Sequence, residues 1–236
     1  TRRLRARASR DGDVERSVDR ITGNLMVASA RDSFGAMFIA YHPGEEDEDT
    51  LAFVDALVKG RLFERSDERG IVLGKTLAHN LQVEPGKKVV YTLTDREGEI
   101  VSAMGRVVGI IELGAPSADA GLCLLPIDTV RAVLGYAPDE ATMVSVFLED
   151  ARRSNEVAER LRAGLGGDVA ALTWDQAQPD IAAFVAMKVG ASRVMTLVIA
   201  LLVAAGIFNT LFVSVMERLR ELGILLALGS TPGHVF

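Results

Sequence analysis

One uninterrupted apolar run dominates the pattern of hydrophobic and polar positions along the chain. Val194 to Met216 holds 23 residues without a charged side chain. A helix of this length covers about 35 Å, which is enough to cross the roughly 30 Å hydrocarbon core of a bilayer. A buried helix of a soluble protein is the other interpretation, but such helices seldom run so long without a charge. The run therefore predicts a transmembrane helix.

Shorter apolar runs, bounded by glycine and proline, predict a β-rich segment from Gly70 to Pro126. A hairpin turn is predicted at Glu97-Gly98, because strand-like runs lie on both sides of it. Over the chain as a whole, the predicted strands are GNLMVASA, GAMFIAYHP, IVLG, VEPGKKVVYTLTD, IVSAMGRVVGIIELG, GLCLLPI and MVSVFLED. The predicted short helices are KTLAHNL and IDTVRAVLG.

Two segments in the first quarter of the chain carry weaker patterns. LRARAS alternates and is predicted as an edge strand. Residues 51–58 space their apolar side chains as an amphipathic helix, with the acidic cluster Glu45–Asp49 at its positive end and Gly60 closing it. The cluster is either a cation site or a solvated helix start. The second is favoured, because the spaced ligands and central glycine of a calcium loop are missing.

The chain between residue 151 and the apolar run is predicted to be mostly helical. ARRSNEVAERLRAGLG is predicted as a helix and VAALTW as a strand, which with MVSVFLED gives a β-α-β unit. Thr173 to Gln176 has the form of a capping box that starts a helix continuing into the apolar run. Pro179 is an alternative first turn. One helix running from the domain into the bilayer would transmit motion in either direction.

Charge and cysteine content narrow the classes of function. The formal net charge is −6, and no basic face is evident, so nucleic acid is not an expected partner. The single cysteine, Cys123, lies in an apolar run and is expected to be a small core residue. The sequence begins without an initiator methionine, and we expect it to be a piece of a longer protein.

Motifs for catalysis or metal binding are not convincing in this sequence. Gly70 to Thr76 resembles a phosphate-binding loop, but it has three residues between its glycines where the loop requires four. The histidines at 42, 79 and 234 are far apart and have no second ligand at metal-binding spacing. We therefore expect no catalytic residue, no metal and no bound cofactor.

Three residues stand out within the apolar run. Asn209 and Thr210 are polar, and polar groups in hydrocarbon usually face another helix or a cavity. Gly206 follows two alanines, and this small-residue stretch would let a second helix approach closely. Packing against other helices and lining a substrate path both stay open, and packing is preferred.

The C-terminal segment NTLFVSVMERLRELGILLALGSTPGHVF resembles the FtsX-like ABC transporter permeases. The shared pattern is a helical asparagine followed by E-[KR]-x-x-E-[IL]-[GA]-[IL]-L-[RK]-A-[LM]-G-[AS], with Leu226 in place of the usual basic residue. AYHPGEEDEDTLAFVDALVKGRLF and GIVLGKTLAHNLQVEPGKKVVYTL are similar to two upstream segments of the same family. The Thr-Trp at 173–174 matches its lipoprotein-releasing branch (LolC and LolE).

The resemblance implies an α+β fold, with a MacB-like extracytoplasmic domain followed by a transmembrane helix, in a fragment of a four-helix permease. Residues 1–58 and 141–190 would form a porter-like βαβ sandwich whose beginning is missing, and residues 59–140 an inserted β-rich, sabre-like subdomain. Residues 191–217 would be the membrane helix, and residues 218–236 a cytoplasmic coupling segment. The implied location is the bacterial inner membrane, with residues 1–190 on the periplasmic side.

The function implied by the resemblance is that of a permease subunit, not an enzyme, which couples ATP hydrolysis by a separate ABC ATPase to domain motion. The branch implies lipoprotein release or export. Expected partners are that ATPase, which binds the ATP, a second permease subunit in a homo- or heterodimer, and membrane lipid. The residues expected to contact the ATPase are Glu217, Arg218, Arg220, Glu221, Gly223, Ile224, Leu228 and Gly229.

Two alternatives belong to other classes. FtsX-like proteins also include membrane signalling scaffolds that regulate a cell-wall hydrolase or sense a peptide, and the partner of the β-rich segment would discriminate these from a transporter. A soluble enzyme with an unusually apolar helix is the other alternative. It would require a catalytic cluster, which the sequence does not offer.

Overall fold

A computed structural model describes residues 2–9, 11–51, 53, 55–166 and 169–227. The chain divides into two compact units, Thr1–Ala171 and Leu172–Phe236. The first contains helices α1 (Arg2–Ala8), α2 (Lys75–Asn80), α3 (Pro116–Gly121), α4 (Ile127–Leu134) and α5 (Ser154–Arg162), with a 3₁₀ turn (Ala151–Arg153) before α5. Its strands are β1 (Val14–Ala28), β2 (Ser33–Tyr41), β3 (Leu57–Gly60), β4 (Gly70–Gly74), β5 (Lys88–Thr94), β6 (Ile100–Ile111), β7 (Leu122–Pro126) and β8 (Met143–Leu148). The second contains α6 (Trp174–Ala177) and α7 (Pro179–Ala227).

Six strands of the first unit close into a small barrel. Each pairs with the next in the order β1, β2, β7, β4, β6, β5, and β5 pairs with β1 again. The β2–β7 and β4–β6 contacts are parallel, and the other four are antiparallel. Closure satisfies the backbone hydrogen bonds around the ring, so these strands offer few free edges to other chains.

The barrel interior is a packed core that follows from alternation along the strands. On β5, Val89, Tyr91 and Leu93 are buried in the interior, whereas Val90 between them is exposed. The large Tyr91 ring fits because Gly105, which lies opposite Val89 on β6, leaves space beside it. A Cβ at Gly105 would be 3.2 Å from the Tyr91 ring. Small barrels of this kind are filled by side chains and do not enclose a channel.

The apolar runs of β4 and β7 do not alternate, because both of their faces are covered. Leu73 and Cys123 face the barrel interior. Val72 and Leu124 face outward and form a second apolar cluster with Leu51, Phe53, Leu57 and Phe63. Complete burial raises the pKa of the Cys123 thiol. Cys123 is therefore a core residue, as the sequence predicts.

Strand β1 belongs to two parts of the sheet. Its first half, up to Arg20, pairs with β8. From Ile21 onward it pairs with β2, beginning with Ile21 opposite Ala40 inside the barrel. One strand thus joins the two-stranded β1–β8 ribbon to the barrel.

The α+β fold class and most elements between residues 21 and 148 are confirmed. The predicted hairpin joins β5 to β6, with Gly98 at φ 85°. Helix α4 ends at Gly135, which takes the left-handed conformation with φ 67°. The boundaries between a porter-like part and an inserted part stay a prediction. Strands from both predicted parts contribute to the barrel.

Two predictions near the N-terminus are wrong. LRARAS lies in helix α1, where Leu4 and Ala8 are one helical turn apart and Ala8 is buried. The predicted helix at 51–58 is not found in its described residues, of which 53, 55 and 56 are in turns and Leu57 begins β3. Leu51, Phe53 and Leu57 cover the outside of the barrel, and this long-range packing overrides the local helical pattern.

Two further differences lie just before the long helix. The predicted strand VAALTW is absent among its described residues, 169–174, where Val169 and Leu172 are exposed and pair with no strand. The capping-box helix is only the short α6. It stops at Gln178, because the residue before a proline avoids the helical conformation. The alternative start at Pro179 is the correct one.

We expect adjacent valines of β5 to differ in their effect on stability. Val89→Ala removes packing inside the barrel and should lower the free energy of unfolding by about 2 kcal/mol. Val90→Ala, on the exposed face of the same strand, should change it much less. Chemical denaturation of the two variants in detergent is the measurement, and equal losses would contradict a closed barrel with β5 facing inward at Val89.

Candidate functional site: the long helix and the arginine clasp

Helix α7 is the dominant feature of the second unit. It runs for 49 residues, which corresponds to about 73 Å. Its segment Ile181–Ile224 is long and apolar enough to cross a membrane, and its most apolar window is not buried at all. An apolar surface of this extent is unfavourable in water and requires lipid or other helices around it.

Five of the predicted site residues share one face of α7. Successive residues are about 100° apart around a helix. Gly206, Thr210, Glu217, Glu221 and Ile224 therefore fall within about 60° of one another. The hydroxyl of Thr210 donates a hydrogen bond to the Gly206 carbonyl at 3.1 Å, so its polarity is satisfied within the helix. A Cβ placed at Gly206 would meet nothing within 4 Å. We call this face the coupling face. Gly206 makes the helix narrow in the middle of this face, and Glu217 and Glu221 carry charge at its end.

The other described site residues lie off the coupling face. Asn209 and Arg220 lie on one flank of it, as the helical spacing requires. Arg218 and Gly223 lie further round, on opposite sides of the helix. The residues that the sequence assigns to one site therefore lie around most of the circumference of α7.

A shallow groove lies beside the charged end of the coupling face, on the flank that carries Arg220. Glu217 and Arg220 line this groove together with Phe212. The Phe212 ring stacks on that of Phe208, with 6.1 Å between the ring centroids. The remaining predicted residues, Leu228 and Gly229, lie outside the described residues.

The acidic cluster before residue 50 has a role that the sequence does not reveal. Three of its carboxylates pair with arginines from α1 and β1. The pairs are Arg5 with Glu45 at 2.7 Å, Arg20 with Glu46 at 2.6 Å, and Arg16 with Asp47. We call these six residues the arginine clasp. The described residues hold no group of three or more side chains able to bind a metal, and the clasp uses the carboxylates for ion pairing.

The buried centre of the clasp is the pair of Arg20 and Glu46. Their side chains are 12% and 1% exposed. Arg20 binds both oxygens of Glu46, at 2.6 and 2.8 Å, and donates to the Thr50 carbonyl at 2.6 Å. The guanidinium also lies 5.7 Å from the centre of the Phe147 ring. Such a bidentate, fully bonded pair compensates for its own desolvation.

A second ion-pair cluster links the residues just before β1 to α5 and to the 3₁₀ turn that precedes α5. Arg160 binds both oxygens of Asp11 at 2.9 Å and one oxygen of Asp13 at 2.6 Å. Arg153 pairs with Asp13 as well. These side chains are more exposed than Arg20 and Glu46, so they contribute less stability each.

Beside the clasp lies a charged cleft of about 240 Å³. Its charged and titratable lining residues are Arg5, Asp19, His42, Glu45, Arg131 and Asp139. Within the described residues, Oδ1 of Asp19 is buried without a hydrogen-bond partner, and Oδ2 lies 3.9 Å from Arg131. Burial raises the pKa of Asp19, with Arg5 and Arg131 opposing the shift and Glu45 adding to it. The cleft therefore holds an ionisable group whose charged form is poorly compensated.

Sequence comparisons match both units of the chain. The profile of the MacB-like periplasmic core domain matches residues 2–164, and that of the FtsX-like permease C-terminal matches residues 193–236. The lipoprotein-releasing system transmembrane protein LolC of Xylella fastidiosa is 27% identical over 208 residues, which cover 85% of this chain and 49% of that protein. An uncharacterized ABC transporter permease of Methanocaldococcus jannaschii is 29% identical over 187 residues, covering 73% and 43%. The chain spans about half the length of the curated relatives it matches.

A structural comparison supports the fold of the first unit. The extracellular domain of the noncanonic ABC-type transporter YknZ from Gram-positive bacteria superposes with a TM-score of 0.50. The alignment covers 69% of this chain and 82% of that domain, at 16% sequence identity. At this identity, the likeness concerns the fold alone.

We expect the two arginines of β1 in the clasp to differ sharply in importance. Arg20→Met leaves the Glu46 carboxylate buried and unpaired, which should cost about 3–5 kcal/mol of unfolding free energy. Arg16→Met breaks an exposed pair and should have a far smaller effect. Denaturation curves of both variants measure the difference. Similar losses would mean that the clasp has no buried centre.

The raised pKa of Asp19 predicts a pH-dependent stability. Protons bind the folded state more tightly than the unfolded one, so stability falls as pH rises from the ordinary value of 3.8 through the raised folded pKa. Asp19→Asn removes this loss. The melting temperature of the variant, relative to the original chain, should therefore increase as pH rises through that window. A pH-independent difference would contradict the assignment.

Proposed function

Because this chain belongs to the MacB/FtsX family of ABC transporter permeases, we propose that it couples ATP hydrolysis by a partner ATPase to motion of a periplasmic domain. It is an inner-membrane protein whose N-terminal domain is periplasmic. The observation that carries the proposal is the unbroken helix α7, which extends well beyond the thickness of a bilayer at 49 residues.

The ATPase would contact the charged end of the coupling face. Glu217 and Glu221 lie one helical turn apart on that face, with Arg220 on its flank. Charges arranged in this way fix the orientation of a docked partner more than they add affinity. Arg218, Gly223 and Ile224 complete the proposed contact, and Leu228 and Gly229 extend it beyond the described residues.

The narrow middle of the coupling face would pack against another membrane helix. Gly206 leaves open space there, and Thr210 bonds back to the Gly206 carbonyl, so a neighbouring helix meets no unsatisfied hydroxyl. Asn209, on the flank, would find its polar partner on the same neighbouring helix. We assign this neighbour to the permease dimer or to other helices of the full-length subunit.

The transported substrate in this proposal is a lipoprotein. The support is the similarity to the LolC protein, which is named for lipoprotein release and aligns over 85% of this chain. ATP would be bound by the ATPase and not by this chain. Hydrolysis would move α7, and α7 would move the periplasmic domain that holds or releases the cargo.

We expect Glu217→Gln combined with Glu221→Gln to uncouple the full-length permease from its ATPase. Loss of two orienting charges should reduce both ATPase stimulation and lipoprotein release from proteoliposomes by about tenfold. Asp175→Asn, which makes the same chemical change on α6, is the matched control and should leave both activities intact. Unchanged ATPase binding and stimulation in the double variant would refute the coupling assignment. Coupling without lipoprotein release would refute only the substrate.

A further inference from the structure

The charged cleft of about 240 Å³ lies where three distant parts of the chain meet. Its walls come from α1, β1, the turn after β2, helix α4 and the segment that follows Gly135. All of these elements belong to the first unit. The volume is several times the roughly 30 Å³ that one water molecule occupies, so the cleft has room for a small organic molecule.

The two arginines of the cleft wall already have partners. Arg5 pairs with Glu45 at 2.7 Å. Nη1 of Arg131 donates to the Asp128 carboxylate at 2.9 Å, and its Nε donates to the Glu140 carbonyl at 2.9 Å. An anionic ligand would have to compete with these bonds for its donors, so the wall does not favour an anion.

Asp19 is the charged group of the cleft with the poorest set of partners. Its side chain is only 15% exposed. Oδ1 is buried and has no hydrogen-bond partner among the described residues. Oδ2 lies 3.9 Å from Nη2 of Arg131, which is too far for a hydrogen bond. Because Asp19 lines the cleft, a donor placed there can approach this carboxylate.

The rest of the wall adds a second acceptor and apolar surface. Asp139 is exposed and has no ion pair within the part of the chain that the structure describes. Ile127 and Pro138 contribute apolar groups. His42 also lines the cleft, and its Nδ1 accepts the Gly44 N–H at 3.3 Å. Carboxylate acceptors beside apolar side chains complement a cation on an alkyl chain.

We propose that the cleft binds a primary ammonium group on a short alkyl chain, with Asp19 as its counter-ion. An ammonium group donates up to three hydrogen bonds and supplies the positive charge that the Asp19 carboxylate lacks. The alkyl chain would lie against Ile127 and Pro138, and a second ammonium group would reach Asp139 at the exposed rim. Free alkyl diamines and the ethanolamine headgroup of lipids share this chemistry. The site lies in the periplasmic domain and is independent of the coupling face.

Calorimetric titration of the full-length permease with 1,4-diaminobutane, in phosphatidylcholine nanodiscs, tests the proposal. We expect saturable binding and a melting temperature that increases with amine concentration. The uncharged 1,4-butanediol and inorganic phosphate should not bind. Nanodiscs of phosphatidylethanolamine distinguish the two sources of the ammonium group. A lipid headgroup in the cleft would weaken diamine binding about tenfold by competition, whereas a site for free amines alone would bind the diamine equally in both lipids.

Matched variants locate the binding in the cleft. Asp19→Asn should stay folded, because it removes a poorly compensated charge, and it should weaken diamine binding about tenfold or more. Asp55→Asn makes the same change in an exposed turn outside the cleft and should bind like the original chain. Asp139→Asn should weaken binding of the diamine but not of 1-aminobutane.

Three results would overturn the proposal. They are the absence of saturable amine binding, equal affinity in the Asp19→Asn variant and the original chain, and binding of butanediol or phosphate in place of the amine. An unchanged diamine affinity in the Asp139→Asn variant would overturn the placement of the second ammonium group at the rim.

Discussion

The first unit depends on one strand that changes partners halfway along its length. At Arg20, β1 is paired with β8, and at the next residue, Ile21, it is paired with β2 in the barrel. The buried Arg20–Glu46 pair lies at this junction and holds the covering turn over it. A strand that leaves one neighbour for another exposes polar backbone at the crossing. The Thr142 hydroxyl supplies partners there, because it accepts from the Thr22 N–H at 2.9 Å and donates to the Arg20 carbonyl at 3.4 Å.

The elements that the sequence predicts correctly are those governed by local pattern. The alternation in KVVYTLT and the turn at Glu97-Gly98 are properties of a few consecutive residues, and both are found in the structure. The segment 51–58 fails for the opposite reason. Leu51, Phe53 and Leu57 pack in one cluster with Val72 and Leu124, which come later in the chain, and this packing overrides helical periodicity. Closure of the barrel also depends on pairings between distant strands that periodicity does not encode.

In the candidate site, too, the features set by consecutive residues are predictable and those set by long-range contacts are not. Helix α7 is predictable, because the length of an apolar run and its lack of charge can be read from consecutive residues. How the charged residues are distributed around the helix becomes clear only from helical geometry. The clasp is not predictable, since Glu46 and Asp47 find their arginines 26 and 31 residues earlier in the chain.

The length of α7 gives it leverage. A helix of 49 residues has arms of about 36 Å on each side of its midpoint. If it pivots there by about 10°, each end is displaced by about 6 Å, roughly one helical turn. A small change in angle thus becomes a large stroke without any stretching of the helix. A bend at Gly190, Gly206 or Gly223 would shorten the arm, so the stroke depends on straightness at these three glycines.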